Sequence, residues 1–291
     1  MPDDLEVLDL LVRETIALSD VTLSYHKVVP KNLRAVLIIV HGMSEHGGRY
    51  VRLQRELANA GFASFAYDQR GFGQSTGQRT YAKHYTDFIN DLQAVVKSVQ
   101  YAHPGTPIIL IGHSFGGLVV SDFCLDFASE IDGIILSAPA YQFVPPPLML
   151  HFLGIILNYF FPTIHIRYPS DANKLSHDKE ICNVFQADPL VQRHGTPKFY
   201  HALLEMNARV QRRTHEISVP TLILQGTSDT IVNPQGAQTL YDKMQSENKR
   251  LIFYEGFYHE PFNEIGRERV VADVVDWLNH LLKNKGERRC Q

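Results

Sequence analysis

From about Val12 to Val29 apolar and polar positions alternate, and Thr, Val and Tyr recur; this pattern predicts two antiparallel strands. Arg34–Val40 (RAVLIIV) differs. It is a continuous, β-branched run, as expected for a strand buried on both faces. A polar, glycine-containing turn and a helical stretch near Tyr50–Ala60 follow, and the cycle then repeats. Phe62–Tyr67 reads as a strand, Asp68–Gly77 as a Gly-rich loop and Phe88–Tyr101 as a helix. Pro107–Ile111 is the next buried strand, Phe115–Ala128 a helix and Ile131–Ser137 another strand. Such alternation predicts a mainly parallel sheet with right-handed crossovers and helices on both faces.

The rhythm stops at Pro139. From there to about Glu216 the chain has Pro145-Pro146-Pro147, an apolar helix and mixed polar segments with no strand pattern. It resumes with the strand Val219–Gln225, a helix near Gln235–Met244, the strand Arg250–Tyr254 and a last helix around Arg267–Leu282. The organisation expected is one α/β core, residues 1–138 and 217–291, with a largely helical cap inserted at 139–216. Insertions of this kind follow strand carboxyl ends, where ligands sit. Within the cap, Leu148–Phe161 is apolar apart from His151, Gly154 and Asn158, which share one helical face. The segment is shorter than the roughly 20 residues needed to cross a bilayer. Two readings stand for it: a lid helix that lines an acyl channel and touches a lipid surface, or a cap helix packed into its own small core.

Composition narrows the classes. The 291 residues are 44% hydrophobic, enough for a large core without disulfides or metals as staples. Lys and Arg total 28 against 31 Asp and Glu, and a net charge of −3 lacks the basic face that nucleic-acid binding requires. The three cysteines, Cys124, Cys182 and Cys290, are far apart and odd in number. They suggest neither a disulfide framework nor a zinc site, and suit a reducing, cytoplasmic compartment. The opening MPDDLEVLDLLVRE has no basic region or small-residue cleavage site, so no secretory signal is expected. The basic tail Lys283–Gln291 is read as solvated, and Cys182 as a buried, inert thiol.

Gly112-His113-Ser114-Phe115-Gly116 fits G-x-S-x-G, directly after a buried strand and directly before a helix. In that setting a sharp turn presents the serine hydroxyl at the helix N-terminus, and glycines two residues either side avoid a clash. A serine is nucleophilic at neutral pH only beside a base, and the base needs an orienting carboxylate. Gly226-Thr227-Ser228-Asp229 follows the strand after the cap, and Glu255-Gly256-Phe257-Tyr258-His259 follows the next. Ser114, Asp229 and His259 therefore lie in loops at the same sheet edge, in the chain order this chemistry takes on such a fold. The tetrahedral intermediate needs two backbone donors; Phe115 N–H is one candidate and Met43 N–H, in the loop after Arg34–Val40, the other. His41 and His46 in that loop lack a third ligand or H-E-x-x-H spacing, and no metal or other cofactor is expected. Asp68 and Arg70 are read as organising their own loop.

HGMSEHGGRY (41–50), DQRGFGQS (68–75), GHSFGG (112–117), QGTSD (225–229) and EGFYHE (255–260) together resemble the monoacylglycerol lipase and lysophospholipase branch of the α/β-hydrolase family, from about Val36 to the C-terminal helix. The resemblance implies a Ser114–Asp229–His259 triad and a Met43/Phe115 oxyanion hole. Glu45 and Arg49 match positions beside the leaving-group pocket, and His113 joins them as a substrate-binding candidate. Phe185 stands where some members place a tyrosine toward the glycerol end, and Phe115 where methionine is common; the latter is expected to change pocket shape more than hole geometry. Gln186–Leu190 resembles the return from cap to core. The expected function is hydrolysis of single-chain acyl esters, monoacylglycerol or a lysophospholipid, through an acyl-serine, with peripheral membrane or micelle contact through Leu148–Phe161. Alternatives are a general carboxylesterase, an acyltransferase, and a non-catalytic lipid-binding protein on the same scaffold.

Overall fold

The computed structural model describes residues 12–143, 147–168 and 171–289. The opening segment up to residue 11, most of the Pro145–Pro147 run and Cys290 lie outside the described residues. In chain order the elements are β1 (Val12–Ala17), β2 (Thr22–Val28), β3 (Ala35–Val40), α1 (Val51–Asn59), β4 (Phe62–Tyr67), α2 (Thr86–Ala102), β5 (Ile108–His113), α3 (Phe115–Phe127) and β6 (Gly133–Ser137). Then follow α4 (Leu148–Phe160), β7 (Ile166–Arg167), α5 (Lys179–Ala187), β8 (His194–Gly195), α6 (Pro197–Arg213), β9 (Thr221–Gly226), α7 (Pro234–Lys243), β10 (Lys249–Tyr254) and α8 (Glu268–Arg289).

Eight strands form one sheet in the order β1-β2-β4-β3-β5-β6-β9-β10. The β1–β2 and β2–β4 pairs are antiparallel and every other neighbour is parallel. This is the α/β-hydrolase architecture expected from the sequence. The continuous apolar runs have the predicted cause. Along β3, Val36, Ile38 and Val40 join the core layer under α2 and α3, while Ala35, Leu37 and Ile39 join the layer under α1 and α8. Both faces are dry, so no position can be polar.

The chain order around β3 reverses: β4 lies on one side and β5 on the other. Loops leaving β3 and β5 therefore diverge, and such a switch point opens a crevice at the strand carboxyl ends. Residues 41–50 and Ser114 leave from this edge. Between β6 and β9 lie α4, α5 and α6, as the broken rhythm implies. One departure is a two-residue antiparallel pair, β7 with β8, too short for any alternation to register. The last helix also runs further than the apolar periodicity indicated, to Arg289.

Helix α4 has an inverted arrangement for a surface helix. His151, Gly154 and Asn158 face inward: His151 Nδ1 meets Tyr200 Oη of α6 at 2.7 Å, and a Cβ on Gly154 would lie 3.1 Å from the Tyr200 ring. The apolar side chains point out, with Met149 76% and Tyr159 82% exposed. Among the described residues no helix is long and apolar enough to cross a membrane.

Candidate active site

Ser114 sits between the last residue of β5 and the first of α3, at φ 50° and ψ −115°. A non-glycine residue adopts this conformation only where its surroundings hold it. Here Ser114 N–H donates to Ser137 O at 2.9 Å, and Ser114 O accepts from Ala140 N at 3.0 Å. The flanking glycines answer close backbone approach: a Cβ on Gly116 would lie 2.1 Å from Val40 O, and one on Gly112 2.5 Å from Gly116 O.

Asp229 leaves the carboxyl end of β9 and is buried. Its Oδ1 accepts from Ile231 N at 2.8 Å and Val232 N at 3.1 Å; its Oδ2 accepts from Gln225 Nε2 at 3.1 Å and from His259 Nδ1 at 2.8 Å. Burial alone would raise the carboxyl pKa, but His259 and the two backbone donors outweigh it and hold Asp229 below its usual value. The same pairing works in reverse on His259, where burial lowers the imidazole pKa and Asp229 more than restores it. With Nδ1–H given to a carboxylate, neutral His259 carries its free lone pair on Nε2.

The loop after β3 carries a buried ion cluster. Glu45 Oε1 accepts from Gly42 N and Tyr50 Oη, both at 2.7 Å, and Oε2 accepts from Arg49 at 2.6 Å. Arg49 also forks onto Glu260 at 2.7 and 2.8 Å. Burial opposes the charged form of Glu45, yet Arg49, His113 and His41 bring its pKa down to about 2. Glu260, held by Arg49, is likewise below its usual range despite burial. His113 is pushed down by burial and by His259, whose ring centroid is 4.9 Å away, and its Nδ1 faces Ser137 O at 3.1 Å. His41 spends both nitrogens on structure, donating to Gly42 O and accepting from Gln69 N. Asp68 anchors Gly47 N and Gln74 N, and Arg70 pairs with Asp91, so both organise loops as expected. Cys182 is buried, its Sγ 3.1 Å from Ala172 O and 3.3 Å from Ser176 O, which share its single proton.

A cavity of about 290 Å³ opens here, and Met43, Glu45, Arg49, His113, Ser114, Phe185 and His259 all line it. Seven of the nine residues singled out from sequence thus share one chamber. Asp229 stands behind His259. Phe115 is the exception to expectation: its ring packs on Phe88 and Phe199 at 5.2 and 5.1 Å, and it is not among the residues lining this cavity. Its N–H, at the positive end of α3, has no protein acceptor among the described residues, and neither has that of Met43. Phe185 lies under the Arg49 guanidinium, 4.7 Å from ring to carbon. Sequence reasoning did not single out Glu260, Ser44 or Tyr168. Only Glu260 carried a signal, its place directly after His259.

A family model described as serine aminopeptidase, S33, matches residues 31–266. A monoacylglycerol lipase from Mycolicibacterium smegmatis is 32% identical, over 85% of this chain and 89% of that protein. A monoglyceride lipase from Homo sapiens is also 32% identical, over 87% and 85%. The crystal structure of a monoacylglycerol lipase from Paleococcus ferrophilus superposes with a TM-score of 0.79 at 26% identity, covering 94% of this chain and 99% of that one. The chain therefore belongs to the serine aminopeptidase S33 family, on the α/β-hydrolase fold, and is a homologue of monoacylglycerol lipases.

Proposed function

We propose that this chain is a carboxylic ester hydrolase that cleaves monoacylglycerol to glycerol and a fatty acid through an acyl-Ser114 intermediate. The observation that carries the reading is the Asp229–His259 pair opening onto the same cavity as a strained serine. His259 Nε2 takes the Ser114 hydroxyl proton as Oγ attacks the ester carbonyl, and the oxyanion is met by Met43 and Phe115 N–H. Collapse breaks the ester bond, and His259 gives its proton to the departing glycerol oxygen. Water, deprotonated by His259, then releases the fatty acid and restores Ser114.

Glycerol is favoured over a phosphate-bearing head group by the state of Arg49. Its guanidinium is engaged by two carboxylates, Glu45 and Glu260, so this wall of the cavity carries net negative charge. The rim adds one charge of each sign, Lys174 and Asp171. Residues 139–216 act as a cap over a core of 1–138 and 217–291, and the outward apolar face of α4 rests on the lipid surface that holds the substrate.

The test is a panel of 2-oleoylglycerol, lysophosphatidylcholine, a triacylglycerol and p-nitrophenyl esters, with wild type and Ser114→Ala. Oleate release from 2-oleoylglycerol, abolished in Ser114→Ala, is the expected result. Preference for lysophosphatidylcholine would overturn the head-group reading and keep the chemistry. Turnover of short esters only would leave a general carboxylesterase, acyl transfer to an added alcohol in place of hydrolysis an acyltransferase, and no turnover a binding protein.

A further inference from the structure

The loop that carries Met43 is pinned from two sides. From the core, Gly42 N–H donates to Glu45 Oε1 at 2.7 Å, which fixes the start of the loop beside Ser114. From the other side it is held by residues 139–216. Gln192 N–H donates to Ser44 O at 2.8 Å. Tyr168 Oη donates to Gln192 O at 3.0 Å and is hydrogen-bonded to Ser44 Oγ. A phenol has one proton, and Tyr168 spends it on Gln192, so Ser44 must be the donor to Tyr168. The three residues close a directed ring: Ser44 hydroxyl to Tyr168 hydroxyl, Tyr168 hydroxyl to Gln192 carbonyl, Gln192 N–H back to Ser44 carbonyl.

Ser44 stands at φ 75°, in the left-handed region, with no glycine to ease it. A strained residue next to Met43 keeps its conformation only because neighbours fix it, and the ring supplies that fixing. Tyr168 is itself placed firmly: its N–H donates to Arg193 O at 3.3 Å beside the β7–β8 pair, and its ring lies 3.4 Å from where a Gly195 Cβ would stand. A second tie, His46 Nε2 to Asp188 Oδ2 at 2.8 Å, joins the far end of the same loop to the same segment.

The geometry points to Tyr168 and Ser44 as positioning residues that set the oxyanion hole: residues 139–216 complete the hole by holding the Met43 loop in its strained form. This rests on the reading of Met43 N–H as an oxyanion donor. A mispointed donor weakens binding of the transition state and leaves ground-state binding alone, which separates this role from a merely structural one.

The experiment compares wild type, Tyr168→Phe, Ser44→Ala and the double variant. Steady-state hydrolysis of a p-nitrophenyl ester is read beside inhibition by an alkyl trifluoromethyl ketone, whose hemiketal alkoxide occupies the hole, and Tm is recorded for each. Each single variant is expected to lose about 10-fold in kcat with KM within about twofold, less than the 10²–10³ lost when a donor is removed outright. The ketone Ki should rise by the same factor, and the double variant should lose no more than either single, because both break one ring. Unchanged kcat and Ki, a rise in KM alone, or losses that multiply would overturn the inference. Ser44→Ala carries the test if Tyr168→Phe does not fold. Activity surviving Ser114→Ala would sink the serine reading itself, whereas Ser114-dependent activity indifferent to both substitutions sinks only this one.

Discussion

Glu260 is the neighbour through which the proposed base, His259, is open to test. It directly follows His259, grips Arg49 through two hydrogen bonds and is among the charges that raise the His259 pKa. In the proposed mechanism His259 acts as general base only when neutral, so activity is expected to fall as pH drops through that raised value, which lies above the roughly 6.5 of a free imidazole. Glu260→Gln removes one negative neighbour and leaves Arg49 less fully neutralised, and both changes disfavour the imidazolium. The acid limb of the kcat/KM–pH profile should therefore move to lower pH; an unmoved or raised limb would contradict the assignment. The shared edge of Ser114, Asp229 and His259 was legible in the sequence because each follows a strand of the parallel alternation, although the last of these strands, β10, is only partly buried. The Arg49–Glu260 fork joins residues 211 positions apart, and no local pattern reports such a pair.

At the scale of elements, periodicity settled which residues share a face and left open which face turns inward. In α4 the polar stripe of His151, Gly154 and Asn158 packs on α6 while Ile156, Tyr159 and Phe160 stand exposed. For a helix on a lipid surface this is the favourable arrangement, since the apolar side chains are the ones that leave water. Burying one such side chain fully contributes about 1.5–3 kcal/mol. Ile156→Glu with Phe160→Glu should weaken binding to phosphatidylcholine vesicles by at least about 10-fold, measured by co-sedimentation, with turnover of a short soluble ester held within about twofold. Vesicle binding equal to wild type would remove the membrane role of α4. The β7–β8 pair was invisible for a different reason: two residues per strand cannot show alternation, and its importance lies in where it places Tyr168.

Across the whole molecule the segment between β6 and β9 touches both loops that would do chemistry. It meets the Met43 loop through Tyr168 and Gln192, and the His259 loop through Glu260 N–H, which donates to Leu175 O at 2.9 Å. Glu264 adds a second hold, accepting from His177 N at 2.8 Å and Tyr258 N at 3.1 Å. A cavity built this way depends on this segment for its walls, to which Tyr168, Lys174, Leu175 and Phe185 contribute. The mainly parallel character of the sheet was readable from alternating strands and helices. These cross-segment bonds were not, because they join stretches without regular pattern.

The most direct test of the central claim is covalent labelling by a fluorophosphonate with an alkyl chain, followed by peptide mapping and by assay of 2-oleoylglycerol hydrolysis on the same samples. One phosphonyl group is expected, on Ser114, with hydrolysis lost in proportion to the labelled fraction and labelling abolished by Ser114→Ala. Hydrolysis that persists in fully labelled protein, or labelling at another residue that accounts for the loss, would contradict it.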